Sequence, residues 1–381
     1  MLNAIIFRLV IIALQLVFVF IIASQIKIQE LGVYYQNLSI AFLLASLILS
    51  YPDFIFQSLI SRRLMNRKTI NHFLKPIVFF MIFLLTISII SKNALIGAVV
   101  LICLFTITNM LRTYLNVLSF KIFTMSTQVF EGTLKIILLF ITLSLWDNAT
   151  SLNIVLVQAV SSILTIYFIF IKTLRQNSGQ RLTNILIARE ITKYQIITIV
   201  FNTFMNSLYI NFLKIYLSAM DALEEVGILG LAQQLIGNLV QSMNSILQIQ
   251  YGNQTLRDKR FFNRAFIPIL AFAIVGAVII FGASLVIFPN FDNEYQNIPL
   301  QYFLLVFVFE FYIVPLSFLT KLYIREGLIK TILKLHLAMV PIIALSLIMF
   351  IFTGSLQLGM LIGCILTSAF LILYYREIVY V

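Results

Sequence analysis

Asn202-Thr203-Phe204-Met205-Asn206-Ser207-Leu208-Tyr209-Ile210-Asn211-Phe212-Leu213-Lys214 reads as a membrane-spanning helix with one side that lipid should not meet. At about 100° per residue, Thr203, Ser207, Asn211 and Lys214 fall on one line, flanked by Asn202 and Asn206. Phe201, Phe204, Met205, Leu208, Phe212 and Ile215 cover the opposite side. The next apolar stretch, reaching Gln250, repeats the pattern: Gln234, Asn238, Gln241, Ser245 and Gln248 step by four, three, four and three, with Gly227, Gly230 and Gly237 close to that line. Amides and a lysine are costly in hydrocarbon, so both stripes should face protein or a water-filled cavity. One or two such residues would serve as glue between helices. A polar half-helix beside a second polar stripe points instead to a hydrated path.

The whole chain fits that reading. It has 381 residues, of which 61% are hydrophobic and only 10% charged, and its mean hydropathy is +1.04. Repeated apolar runs of about 20 residues make it a polytopic helical membrane protein. The first run has no small-residue cleavage site after it, only Ser24-Gln25-Ile26-Lys27, and is expected to stay as a helix. A net charge of +12 would suit a nucleic-acid partner, but the basic residues lie between spans, so no nucleic acid is expected. Cys103 and Cys364 both lie inside apolar runs and suggest neither a disulfide nor a metal site.

Hydropathy places helices over Ala4–Ser24, Leu38–Ile60, Phe73–Ile90, Ala94–Leu111, Gln128–Trp146 and Leu152–Ile171. The pair described above follows, and then Phe266–Phe288, Leu300–Thr320, Leu333–Phe352 and Leu356–Tyr375. Of the 26 basic residues, all but Lys27, Lys92, Lys135 and Lys214 fall on the cytoplasmic side if the N-terminus is cytoplasmic. The expectation is an all-α fold of twelve transmembrane helices with both termini cytoplasmic. The longest polar connection suggests its division: an N-terminal six-helix bundle over 1–175, a cytoplasmic connecting loop over 176–193 and a C-terminal bundle over 194–381.

Shifting the chain by 195 residues lays Glu30-Leu31-Gly32-Val33-Tyr34 over Glu225-Val226-Gly227-Ile228-Leu229. Ser39, Ser46, Ser50 and Asp53 of the second helix then fall on Gln234, Gln241, Ser245 and Gln248 of the eighth. Six helices per half with the same starting side make a parallel repeat about an axis along the membrane normal. Helices 2 and 8, with 1 and 7 beside them, should therefore carry the path.

Glu30-Leu31-Gly32-Val33-Tyr34, the run Tyr209-Ile210-Asn211-Phe212-Leu213-Lys214 and Glu225-Val226-Gly227 carry a resemblance. The chain resembles the O-antigen (Wzx-type) polysaccharide-unit flippases of the multidrug/oligosaccharidyl-lipid/polysaccharide exporter superfamily, over its whole length. The resemblance implies two pseudo-symmetric six-helix bundles. It also implies alternating access in the bacterial inner membrane, and an undecaprenyl-diphosphate-linked oligosaccharide moved from the inner to the outer leaflet. An ion gradient or the membrane potential is the implied drive. A polysaccharide polymerase and a chain-length regulator are the implied protein partners.

The candidate cavity residues are Arg8, Asp53, Asn202, Asn206, Asn211, Lys214, Gln234, Asn238, Gln241 and Gln248. Arg8 and Lys214 are cations fit to meet a diphosphate, against a plainer reading as headgroup anchors. Asp53 needs a partner at its depth, for which Arg8 is the candidate. Glu131 and Lys135, spaced for an intrahelical pair, and Glu310, with no local partner, are the candidates for ion coupling. No nucleotide-binding loop, metal-ligand spacing or catalytic triad is present, so no cofactor is expected. Two rivals remain: a drug or solute exporter of the same superfamily, and a membrane-embedded polymerase or glycosyltransferase. The second needs a large outer loop, and the longest here, near Gln25–Asn37 and Pro289–Pro299, are about a dozen residues.

Overall fold

The connection between the first two helices is two residues long, where hydropathy alone expects a dozen. In the computed structural model α1 spans Leu2–Gln25 and α2 spans Ile28–Ser61. Glu30 falls in the first turn of α2, where a carboxylate suits the positive end of the helix. Leu31, Tyr34 and Tyr35 on the same turns are buried. Helix and apolar run are different things: the 34 residues of α2 extend roughly 50 Å, well past the ~30 Å of bilayer hydrocarbon that hydropathy detects.

The structure describes the backbone of residues 2–61, 67–117, 121–145, 150–174 and 214–251 and isolated positions elsewhere; side chains are described within 6–49, 77–115, 122–145, 150–171 and 214–237 and at scattered positions. The remaining elements are α3 (Arg67–Ser91), α4 (Ala94–Val117), α5 (Lys121–Leu145), α6 (Ser151–Leu174), α7, described over residues 214–219, and α8 (Leu223–Tyr251). No strand occurs among the described residues. Among the described residues, five segments are long and apolar enough to cross a membrane: Ile6–Gln25, Ile28–Leu49, Ala94–Leu115, Ile122–Leu145 and Ser151–Ile171. By contacts the chain divides into Met1–Gly227 and Ile228–Val381. The connecting loop expected over 176–193 lies outside the described residues.

Turn chemistry closes the hairpins. Lys92 (φ 53°) ends α3 in the left-handed region, and the Asn93 amide reaches back to the Ser88 carbonyl at 3.1 Å. The Asn93 side chain then caps α4 by accepting from the amides of Leu95 and Ile96 at 3.0 and 3.2 Å. Asp221 (φ 58°) does the same after α7, with the Ala222 amide on the Leu217 carbonyl at 3.0 Å.

In the first unit α4 is the hub, packing on α2, α3, α5 and α6. Ala98, Cys103, Leu104 and Ile107 of α4 are fully buried. Helix α1 packs chiefly on α5, where Gly132 leaves room for Leu14. Phe130, Ile137, Phe140 and Ile141 of α5 stay exposed, as a lipid-facing surface should.

Helices α2 and α8 meet at their first turns, and every residue of that contact belongs to the first unit. A Cβ on Gly32 would overlap the Leu223 carbonyl oxygen; a Cβ on Gly227 would come within 2.5 Å of the Ile28 carbonyl oxygen. Gln29 Nε2 donates to Glu224 Oε1 at 3.0 Å. Residues 28, 29 and 32 are the repeat counterparts of 223, 224 and 227. The contact is therefore reciprocal, the pattern of a two-fold-related interface.

Candidate transport site

Glu131 sits on the buried side of α5 at 3% exposure and gathers three helices. Arg112 of α4 donates from Nη2 to its Oε2 at 2.6 Å, and Lys135, one turn along α5, reaches its Oε1 at 2.9 Å. Ser162 of α6 donates to the same Oε1 at 3.2 Å. Arg112 is further held by Thr127, through the hydroxyl to Nε and the carbonyl to Nη2, both at 3.2 Å. The Glu131–Lys135 pair is as the spacing predicts, but Arg112 is a correction. Hydropathy ends the fourth helix at Leu111 and makes Arg112 a cytoplasmic end residue. Helix α4 instead continues to Val117, buries Tyr114 and Leu115, and carries Arg112 inside at 6% exposure. Ser162 and Thr127 were not legible as site residues, since hydroxyls in spans usually bond back to their own helix.

Arg8 of α1 is equally buried, at 6% exposure. Its Nε has no hydrogen-bond partner, and no ion pair of Arg8 occurs among the described residues. Beside its burial, the like charge of Arg112 acts on it among the described residues. Arg8 is thus not a lipid-facing anchor. The side chain of Asp53, its expected partner, lies outside the described residues. On the helices that flank Arg8, Gln15 Oε1 of α1 and Gln128 Oε1 of α5 are also buried without a hydrogen-bond partner. Such atoms are ordinarily satisfied by water or a ligand.

Asn211, and Lys214 and Ser218 of α7, are buried at 2%, 6% and 7% exposure. A lysine snorkelling to headgroups would be exposed, so burial of Lys214 separates it from that role. Gln234 of α8 is half-buried. Asn238, Gln241 and Gln248 lie on α8 with side chains outside the described residues, and Asn202, Asn206 and Glu310 lie outside them altogether. Tyr34 of α2 accepts from Gln158 Nε2 of α6 at 2.5 Å, fixing the helix that bears the Ser39 and Ser46 stripe. The described residues contain no His, Cys, Asp and Glu grouping able to hold a metal.

The arrangement therefore offers one ion cluster, with two cations on the Glu131 carboxylate, and two further buried cations, Arg8 and Lys214. No protein-family profile matches the chain, and no curated protein matches it in sequence. Among solved structures, the crystal structure of the eukaryotic MATE transporter AtDTX14 is similar at a TM-score of 0.55 and 12% identity, over 99% of this chain and 94% of that one. The twelve-helix polytopic fold in two related halves read from the sequence is the fold of that structure. The chain is a multi-pass membrane protein.

Proposed function

We propose that the chain moves an oligosaccharide linked to undecaprenyl diphosphate from the cytoplasmic to the outer leaflet of the bacterial inner membrane by alternating access. Both termini are cytoplasmic in this reading, the halves are 1–175 and 194–381, and 176–193 is the cytoplasmic loop between them. The observation that carries the reading is Arg8: a guanidinium 6% exposed, with an unpartnered Nε and a like charge acting on it. A bare charge in hydrocarbon is expensive, about 2.5–3.5 kcal/mol even on insertion scales. An anionic cargo passing through the path removes that cost while bound. A diphosphate is such an anion, and Lys214 is the second cation it meets. The amides Asn202, Asn206, Asn211, Gln234, Asn238, Gln241 and Gln248 suit the hydroxyls of the sugars. Asp53 belongs to the same cavity, with Arg8 as its candidate partner. Glu131 and Lys135 serve structure, which leaves Glu310 for ion coupling. Polymerase and chain-length regulator would take the product on the outer side.

The second reading is a drug or solute exporter, and the likeness to a MATE transporter structure favours it. Complementation of a flippase-null strain decides between them. Restored surface polysaccharide, lost again in Arg8→Ala and Lys214→Ala at unchanged protein level but kept in Arg8→Lys and Lys214→Arg, supports the flippase. Drug resistance in an exporter-deficient strain, with no restored polysaccharide, supports the second reading.

A further inference from the structure

Helices α1 and α5 pack against each other, with Gly132 of α5 set against Leu14 of α1. Successive spans reverse direction, so these two run the same way. At about 100° per residue Arg8 and Gln15 share one line of α1, to one side of Leu14. On α5, Gln128 lies one turn before Gly132, turned towards the flank that carries Glu131 and Lys135. In parallel helices those two flanks border the same side of the seam. The like charge of Arg112, which holds Glu131, acts on Arg8 and agrees with that placement. Three buried atoms without a hydrogen-bond partner belong to this side: Arg8 Nε, Gln15 Oε1 and Gln128 Oε1. Arg8 and Gln15 stand two turns apart, roughly 10 Å, so the atoms mark out a strip along the seam. Glu131 already takes three donors, from Arg112, Lys135 and Ser162.

These atoms have a definite polarity. Arg8 Nε–H is a donor, and the two amide carbonyl oxygens are acceptors. A bare anion satisfies the first and is repelled by the other two. An apolar chain leaves all three buried and unpaired, which is costly for each. A ligand with an anionic oxygen at one end and hydroxyl groups beside it satisfies all three. We propose that Gln15 and Gln128 form a sugar subsite beside Arg8. Their carbonyl oxygens accept from hydroxyls of the sugar joined to the diphosphate, while Arg8 donates to the diphosphate itself. The inference rests on the flippase reading above and adds to it the residues that read the first sugar. Arg8 serves any anionic lipid. The two amides discriminate, because a site built to pair a substrate hydroxyl rejects an analogue that lacks it.

The test uses the full-length protein in lipid nanodiscs and three kinds of probe. One is a short-chain polyprenyl diphosphate. The second is the same lipid carrying one sugar, drawn from a panel of hexoses and N-acetylhexosamines. The third is that glycolipid with its sugar hydroxyls methylated. The readout is the ratio of affinities within one protein, so it does not depend on how much of a variant is folded. For the best sugar of the panel, wild type should bind the glycolipid about tenfold more tightly than the bare diphosphate. Methylation should abolish that preference, since a methyl ether cannot donate, and this arm needs no variant. Gln15→Leu and Gln128→Leu should each cut the ratio by about threefold, and the double variant should bring it close to one. A wild-type ratio near one for every sugar overturns the inference and leaves the flippase reading standing; the three atoms then hold water only. A preference that survives methylation or the double substitution overturns it too. Binding of neither lipid by wild type overturns the inference together with the reading it rests on.

Discussion

Arg8 on α1 and Arg112 on α4 are both 6% exposed, yet their surroundings are opposite. Arg112 meets a carboxylate at 2.6 Å and both polar atoms of Thr127 at 3.2 Å. Arg8 has an Nε with no partner and feels Arg112 as a like charge. Burial alone therefore does not define the role of a charge. The partnered arginine ties α4 to α5, and through Glu131 and Ser162 to α6. Among the described residues Arg8 makes no ion pair, and its Nε ties it to no other helix. A buried ionisable group in a span is costly, and that cost is what the proposed anionic cargo would relieve.

The comparison makes graded predictions. Glu131→Gln leaves the buried Arg112 and the half-buried Lys135 without their shared counter-ion, and should destabilise the bundle by about 3–5 kcal/mol. The thermal midpoint of the purified protein and its membrane abundance would both fall sharply; an unchanged midpoint would mean that the cluster is not structural. Arg112→Lys keeps the charge but cannot serve Glu131 and Thr127 together. A loss of about 1–2 kcal/mol is expected, read from the same melting curves. Lys135→Met removes an i,i+4 pair whose lysine is 21% exposed, and should lower stability by less than about 1 kcal/mol. Arg8→Met removes a buried charge that has no ion pair among the described residues and replaces it with an apolar side chain. The midpoint should stay where it is or rise, and a fall comparable to that of Glu131→Gln would erase the distinction between the two arginines.

The sequence carries part of this. Spacing alone pairs Glu131 with Lys135, and the 195-residue shift aligns Gly32 with Gly227. It does not say that these glycines touch, because a repeat relates two positions without placing them on the axis between them. Arg112 escapes for a different reason. An arginine after an apolar run looks like a membrane boundary, and only the burial of Tyr114 and Leu115 beyond it shows the helix continuing. The early start of α2 escapes because hydropathy finds hydrocarbon depth, whereas Glu30 and the buried Tyr34 and Tyr35 show where the helix begins. Burial of Arg8 was open on sequence alone, since an arginine near a span end fits an anchor as well as a site.

The central claim is that Arg8 awaits an anionic lipid, and it can be measured on the purified full-length protein in lipid nanodiscs. The probe is a short-chain polyprenyl diphosphate, titrated against wild type, Arg8→Lys and Arg8→Met, with the matching polyprenol as the uncharged control. Wild type should bind the diphosphate in preference to the polyprenol, and Arg8→Lys should stay within severalfold. Arg8→Met should weaken binding by at least about tenfold, the loss of one charge-assisted contact of about 1.5–3 kcal/mol. Equal affinity for the diphosphate in wild type and Arg8→Met, or no preference over the polyprenol, would contradict the account.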